Sequence, residues 1–128
     1  MKILITSGAT REFIDGIRFV SNISSGKTGA GLVDCLKVNG HEVIHFLCDG
    51  AQKATEKVQE IRFSGFADLN RKLGNFLQNN EVDLIIHLAA VSDYSIKSII
   101  IDGKDHGSYL EGKLDSDGEM QIVFKKNF

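Results

Sequence analysis

A polar loop that runs from Arg18 to Gly29 carries side chains that together could hold an anion. A guanidinium supplies a planar and permanent positive charge, an amide and hydroxyls supply hydrogen bonds, and a glycine lets the backbone approach a ligand closely. An amphipathic helix is predicted to follow directly, so its free N–H groups and positive dipole end would face the same anion. The residues concerned are Arg18, Asn22, Ser24, Ser25 and Gly26.

An ordinary helix cap is the alternative interpretation of this loop, because a serine oxygen can accept hydrogen bonds from first-turn amides. The start of the chain favours an anion-binding site over an ordinary helix cap. A short apolar strand at residues 3–5 runs into a second polar loop, which has an arginine of its own. Two such loops near one strand end predict a pocket. The second loop would contribute Gly8, Thr10 and Arg11.

Length and composition predict one globular domain over residues 1–128. The chain has 42% hydrophobic and 25% charged residues, and its net charge of -2 gives no bulk reason to expect nucleic acid or an anionic membrane as partner. The first residues form neither a signal peptide nor a membrane span, so a cytoplasmic location is predicted. Neither a disulfide nor a metal-binding pair is expected from the two cysteines.

The apolar pattern predicts a fold of class α/β. Two helices are expected after residues 26 and 65, and strands at residues 3–5, 42–48, 58–63 and 83–90. The last strand is apolar on both faces, which is typical of a central strand covered by helices on both sides. The order predicts a three-layer, doubly wound, mainly parallel sheet that is Rossmann-like and binds ligands at the carboxyl ends of its strands. Those ends lie at residues 7–8, 48–50 and 89–91.

The character of the chain changes near residue 95. We therefore expect a core of sheet and helices over 1–94 and a flap region over 95–128. Within the flap, 111–128 has a strong turn signal followed by alternating apolar residues, which predicts a two-stranded ribbon. A ribbon is marginally stable alone, so it is expected to pack on the sheet or on another subunit.

Several single residues near the predicted crevice have two interpretations. Asp93 follows the last strand and could accept hydrogen bonds from a ribose, a base or metal-bound water, or it could cap a turn. Lys113 could reach a phosphate or lie on a solvated ribbon face. His87 is expected to be a core histidine with a backbone partner.

Three segments in order resemble one enzyme family. Residues 3–15, 18–29 and 89–94 look like the N-terminal half of phosphopantothenoylcysteine synthetase, also called phosphopantothenate–cysteine ligase. The resemblance implies amide formation between 4'-phosphopantothenate and cysteine in coenzyme A biosynthesis. The carboxylate would first be activated by CTP or ATP with Mg2+, giving an acyl-nucleotide.

The same resemblance implies roles for individual residues. Asn22 matches the asparagine that handles the acyl-nucleotide, Arg18 the arginine beside it, and Lys113 the lysine at the start of the family's flap. Ala89 and Ala90 match the pocket wall, and Asp93 a nucleotide contact. The downstream part of the family domain has no match in this chain, so a homo-oligomer or a separate chain carrying that part is expected as partner.

Two departures and two alternatives accompany the resemblance. Ala9 stands where the family usually has a glycine, and Phe13 where it has a proline. An extended short-chain dehydrogenase would account for the Tyr109-to-Lys113 spacing, but the glycine-rich fingerprint for a dinucleotide is missing after Gly8. A subunit that binds phosphopantothenate or nucleotide without turnover is the other alternative.

Overall fold

A four-stranded parallel sheet forms the centre of the computed structural model, which describes residues 1–112 and 118–128. The strands are ordered β5-β4-β1-β6, and a hairpin and a second, antiparallel sheet accompany them. In chain order the elements are β1 (Lys2–Ser7), β2 (Arg11–Phe13), β3 (Phe19–Ser21), α1 (Lys27–Val38), β4 (Glu42–Cys48), β5 (Gln59–Phe63), α2 (Phe66–Asn79), β6 (Leu84–His87), β7 (Tyr94–Ile101), β8 (Lys104–Asp105) and β9 (Met120–Lys126).

The two helices cover opposite faces of the sheet. Successive residues of a strand point to opposite faces, so Ile3 and Ile5 of β1 pack with Val33 of α1. Leu4 instead belongs to the cluster that contains Phe76 of α2. The predicted three-layer, doubly wound parallel architecture is therefore confirmed.

The position predicted for β6 is wrong. β1 and β4 are the central strands, and both are buried along almost their whole length. β6 pairs with β1 alone among the described strands, and it stands at the edge of the sheet. Its apolar residues are accordingly half exposed rather than covered on both sides.

The flap region forms a three-stranded antiparallel sheet of order β8-β7-β9. β9 lies in the region of the predicted ribbon and pairs antiparallel with β7, from Tyr94↔Lys126 to Ile101↔Met120. The other strand predicted within 111–128 includes residues 113–117, which lie outside the described residues. The sheet packs on Ile14, a residue of the loop after β2, through Ile96 and Ile99. This contact ties the flap region to the polar loop that follows β1.

The two polar loops predicted near the start of the chain contain a short hairpin that the sequence analysis missed. Arg11–Phe13 and Phe19–Ser21 pair antiparallel. The Phe13 and Phe19 rings lie 5.4 Å apart. No helix among the described residues has the length and apolarity needed to cross a membrane.

Candidate functional site at the carboxyl ends of β1 and β4

Gly8 follows directly after β1 and brings the loop that it begins against the end of β4. Its φ of 88° lies in the left-handed region. A Cβ at Gly8 would come within 2.7 Å of Cys48 Cβ and 2.9 Å of Ala51 Cβ, so only glycine fits between these loops. The close approach places the segment after β1 directly over the turn at residues 48–51.

A cavity of about 170 Å³ lies where these loops meet. It joins three residues that the sequence predicted from two separate motifs, namely Arg11, Asn22 and Ser24. The other lining residues come mainly from the hairpin and from the turn after β4: Ala9, Phe19, Ser21, Cys48, Asp49, Gly50 and Ala51. The turn at 48–50 was predicted as the end of a strand, whereas Phe19 was not predicted as a site residue.

Arg11 supplies the positive charge of this cavity, which is called the Arg11 cavity below. Its guanidinium carbon lies over the Phe19 ring, 4.5 Å from the ring centre, which is within the range of a cation–π contact. Within the part of the chain that the structure describes, no carboxylate forms an ion pair with it. A guanidinium held on an aromatic ring and without an internal anion remains available to an external one.

Gly50 makes room for that guanidinium. A Cβ at Gly50 would overlap Arg11 Nη2, and the φ of 82° is itself in the left-handed region. The turn after β4 is thus shaped around Arg11. Asp49, the carboxylate of the cavity wall, lies 3.9 Å from Arg62 Nη1 instead.

Cys48 forms a buried part of the wall. Its thiol donates a hydrogen bond to the Ala9 carbonyl at 2.6 Å. Burial raises the pKa of the thiol, against the opposing effect of the nearby Arg11 charge. The thiol is therefore protonated near neutral pH, which makes Cys48 a packing group rather than a nucleophile.

Arg18 does not line this cavity. Its guanidinium Nη1 lies 2.6 Å from Oδ2 of Asp15, which is fully buried. The role that the resemblance implies for Arg18 beside Asn22 stays a prediction, and in this structure the Arg18 guanidinium is engaged by Asp15. Arg11 is the arginine that reaches the cavity.

Gly26 stands at the N-cap of α1 with a φ of 79° and no side-chain cap. Ser25 Oγ accepts a hydrogen bond of 3.3 Å from Lys27 N, and the Ser25 carbonyl accepts one of 2.9 Å from Gln52 N. Ser24 lines the cavity instead. Ser25 therefore contacts the first residue of α1, as a helix cap would, whereas Ser24 lines the cavity.

Backbone hydrogen bonds join the loop after β1 to the segment after β6. Thr10 N donates to the Ala90 carbonyl at 3.1 Å, and Ala90 N donates to the Gly8 carbonyl at 2.8 Å. Thr10 Oγ1 is buried and accepts a hydrogen bond from Ser92 N at 2.9 Å. Ala89 N donates to Thr6 Oγ1 at 3.2 Å. Thr10, Ala89 and Ala90 therefore stabilise the loops around the cavity without lining it.

Asp93 lies at a different cavity. It is exposed, and with Tyr94, Lys126 and Phe128 it lines a space of about 230 Å³. Its backbone carbonyl accepts a hydrogen bond from Asn127 N at 2.9 Å. Lys113, the remaining predicted site residue, lies outside the described residues.

A larger cavity of about 600 Å³ lies between the hairpin, the start of α2 and the flap sheet, and none of the predicted site residues lines it. Its wall includes Glu12, whose Oε1 accepts a hydrogen bond from Phe66 N at 2.9 Å and so caps α2. Lys97, Lys125 and Lys126 also line this space. It is structurally separate from the Arg11 cavity.

The histidines contradict the prediction made for His87. Its ring is exposed, and its Nδ1 lies 2.6 Å from Thr6 Oγ1. His45 is the buried histidine, with Nε2 at 2.7 Å from Ser7 Oγ and Nδ1 without a hydrogen-bond partner among the described residues. Burial lowers the pKa of His45, so its ring is neutral at physiological pH.

A family comparison agrees with this geometry. The model of the DNA/pantothenate metabolism flavoprotein C-terminal domain, abbreviated DFP, matches residues 1–108. The chain belongs to the DFP family. This match includes both polar loops and the segment around Ala89 and Ala90, and it decides against the dehydrogenase alternative.

Individual curated proteins and solved structures are also similar to this chain. The coenzyme A biosynthesis bifunctional protein CoaBC of Methanocaldococcus jannaschii is 30% identical over 126 residues, which are 98% of this chain and 28% of that protein. The DNA/pantothenate metabolism flavoprotein of Streptococcus pneumoniae superposes with a TM-score of 0.81 at 25% identity, over 99% of this chain and 60% of that one. A Cab2 mutant in complex with phosphopantothenate-cysteine shares the fold, with a TM-score of 0.67 at 18% identity over 98% of this chain and 56% of the other.

This DFP chain spans only about a quarter to a third of the curated relatives it matches. The matched region includes the Arg11 cavity but leaves a large part of those proteins without a counterpart here.

Proposed function

We propose that this chain is the phosphate- and acyl-binding part of a phosphopantothenate–cysteine ligase of coenzyme A biosynthesis. One observation carries the proposal, namely the Arg11 guanidinium, which has no carboxylate partner among the described residues, in a cavity that Asn22 and Ser24 also line. Family membership and relatives named as CoaBC support the same reaction class.

The proposed reaction has two steps. The carboxylate of 4'-phosphopantothenate attacks the α-phosphorus of CTP or ATP and releases pyrophosphate, giving an acyl-nucleotide. The cysteine amine then attacks the acyl carbonyl, loses a proton and releases the nucleoside monophosphate. Both reactants of the first step are anions, so positive charge at the reacting groups lowers the barrier.

Named residues fit parts of this chemistry. Arg11 would bind a phosphate group, since its charge has no carboxylate partner among the described residues. Asn22, which is uncharged and faces the cavity, would orient the acyl carbonyl for attack. No covalent enzyme nucleophile is needed, which agrees with the protonated Cys48 thiol.

Magnesium would supply further charge neutralisation when bound. The described residues contain no group of three or more His, Cys, Asp or Glu side chains that could hold a metal ion. We therefore propose that Mg2+ is held mainly by nucleotide phosphates, as is common for this ion. Nucleotide choice, a role for Lys113, self-association and the cytoplasmic location stay predictions.

The experiment is a turnover assay with 4'-phosphopantothenate, cysteine, Mg2+ and either CTP or ATP, with product detection by mass spectrometry. Formation of phosphopantothenoylcysteine together with a nucleoside monophosphate supports the ligase. Ligand binding without any product, even when the part of the DFP domain beyond the matched region is supplied, contradicts the ligase and identifies a binding subunit instead.

A further inference from the structure

Hydrogen bonds hold the segment of residues 92–94, which leads from β6 into β7, on two sides. Ser92 N donates to Oγ1 of the buried Thr10 at 2.9 Å. Ser92 Oγ donates to the Tyr94 carbonyl and accepts from Tyr94 N. The Ser92 carbonyl accepts a hydrogen bond of 2.7 Å from Asn127 Nδ2. Thr10 therefore holds this segment from the loop after β1, and Asn127 holds it from the flap sheet.

Asn127 contacts the same segment at three points. Its backbone N, directly after β9, donates to the Asp93 carbonyl at 2.9 Å. Its Nδ2 donates to the Ser92 carbonyl, and its Oδ1 accepts from Ser95 Oγ at 2.5 Å. A carbonyl can only accept, so the amide nitrogen must be the atom that faces Ser92. The half-buried carboxamide thus uses its donor and its acceptor at once, which an aspartate of the same shape could not do.

Asp93 is held by its backbone while its side chain stays exposed. Among the described residues, the Asp93 carboxylate takes part in no hydrogen bond and no ion pair. It lines the cavity of about 230 Å³ already described, which is called the Asp93 cavity below. A carboxylate on a fixed backbone and without an internal donor is an acceptor prepared for a ligand.

The other residues that line the Asp93 cavity add a charge and two aromatic rings. Lys126 can bind a phosphate, and the rings of Tyr94 and Phe128 are 48% and 78% exposed and can stack on a base. Each ring lies against a second one, Tyr94 at 6.5 Å from Phe124 and Phe128 at 5.9 Å from Phe66. An acceptor, a cation and exposed rings together fit a nucleoside phosphate, whose amino or hydroxyl group would donate to Asp93.

We propose that Asn127 is a positioning residue for nucleotide binding, which fixes Ser92 and Asp93 so that the Asp93 carboxylate stays at its cavity. Asn127 lines the neighbouring cavity of about 600 Å³ and not the Asp93 cavity, so it acts through Asp93 rather than on the ligand. Order that exists before binding does not have to be created on binding, and affinity rises accordingly. The inference rests on the proposed function for the nucleotide as ligand.

The test is a double-mutant cycle on nucleotide affinity, measured by calorimetric titration of the chain with CTP and with ATP in the presence of Mg2+. Asp93→Ala should weaken binding of the preferred nucleotide about tenfold or more, because a hydrogen bond to a charged group is lost. Asn127→Ala should cause most of the same loss. If Asn127 acts through Asp93, adding Asn127→Ala to Asp93→Ala should weaken binding by less than about a further twofold.

A matched variant and a second probe separate positioning from general destabilisation. Asn80 is also half-buried, and its Nδ2 donates to the Phe76 carbonyl at 2.9 Å at the end of α2. Asn80→Ala therefore loses a similar hydrogen bond away from the cavity and should bind nucleotide like the wild type. Pyrophosphate, which has neither base nor ribose, should bind equally to Asn127→Ala and to the wild type. Circular dichroism verifies that each variant is folded.

Losses that multiply in the double variant overturn the inference, because they would show that Asn127 acts independently of Asp93. Unchanged nucleotide affinity in Asn127→Ala, or an equal loss in Asn80→Ala, also overturns it. Absence of CTP and ATP binding by the wild type overturns it too, and pyrophosphate binding in that case leaves the phosphate site of the proposed function standing. Nucleotide binding with the expected pattern but without product contradicts the ligase and leaves the role of Asn127 standing, so the two failures are distinguishable.

Discussion

Arg18 Nη1 lies 2.6 Å from Oδ2 of the fully buried Asp15. The other oxygen of that carboxylate accepts hydrogen bonds from the backbone N–H groups of Ile17 and Arg18, at 2.9 and 2.8 Å. One side chain therefore closes the turn between β2 and β3 and binds the Arg18 guanidinium.

Asp15→Ala should lower the free energy of unfolding by about 2–3 kcal/mol, because hydrogen bonds to a charged group contribute about 1.5–3 kcal/mol. Asp15→Asn retains an oxygen that can accept both backbone hydrogen bonds and loses only the ion pair, so its loss should be smaller. Urea denaturation measures both. Equal losses in the two variants would contradict the role given to the backbone hydrogen bonds.

Gly50→Ala should weaken anion binding, because a Cβ there would displace the Arg11 guanidinium. Loss of a hydrogen-bonded charge corresponds to about a tenfold or greater loss of affinity. Gly40→Ala is the matched control, since Gly40 also has a positive φ, of 89°, but nothing lies within 4 Å of its added Cβ. Both variants should lose stability, and titration with pyrophosphate should separate them. Equal affinities would argue against Arg11 as the anion ligand.

His45 should make the free energy of unfolding depend on pH below about 6.5. Burial lowers its pKa in the folded protein, Arg62 adds to this effect, and Glu60 and Asp34 oppose it. The unfolded chain therefore binds the proton at higher pH than the folded one, and stability falls as pH drops below about 6.5. His45→Gln should flatten this dependence in urea titrations at several pH values, whereas an unchanged slope would exclude His45 as its source.

The backbone hydrogen bonds from Glu56 and Thr55 lower the pKa of Asp34. Stability that depends on the Asp34 carboxylate is present above its usual pKa, near 4, and is lost only at lower pH. Above about pH 4 a pH dependence of the free energy of unfolding therefore arises from His45 rather than from Asp34.

Gly29→Ala should destabilise the fold by about 1–3 kcal/mol, because overpacking forces neighbouring groups apart. A Cβ at Gly29 would overlap Ser7 Cβ, where α1 lies against β1. Gly31→Ala, in the same helix with nothing within 4 Å, should instead stabilise by about 0.5–1 kcal/mol through helix propensity. Thermal unfolding compares them, and a shift in the same direction for both would refute this account of the contact.

Asn22→Asp should slow amide formation while leaving the fold intact, because a carboxylate in place of the amide repels the anionic acyl-nucleotide. Asn22 is exposed at the cavity, so stability should change little. Rapid-quench detection of the intermediate in the reconstituted enzyme should show that it accumulates or fails to form. Unchanged product formation would remove Asn22 from the mechanism.

Sequence patterns predicted the layers of the fold because apolar periodicity records burial locally. α1 begins directly after Gly26 as predicted, α2 contains the predicted apolar stripe from Phe66 to Leu77, and β4 has the predicted bounds. The place of β6 could not be predicted in this way. Its run of apolar residues is typical of a covered strand, whereas among the described strands β6 pairs with β1 alone, and this pairing leaves no periodic signal in the sequence.

The candidate site was partly predictable for a related reason. Arg11, Asn22 and Ser24 were found because two polar loops, each with an arginine, lie near one predicted strand end. The ion pair of Arg18 with buried Asp15 and the place of Phe19 in the β2–β3 hairpin were not predicted. Neither contact leaves a periodic signal in the sequence.

Calorimetric titration of the chain with 4'-phosphopantothenate, with CTP and with NADPH in the presence of Mg2+ tests the central claim most directly. The account predicts saturable binding by the wild type and by Arg71→Gln, whose arginine pairs with Asp68 on the surface of α2, and loss of binding in Arg11→Gln. Binding that is unaffected by Arg11→Gln, binding of NADPH alone, or no binding by the wild type would contradict it.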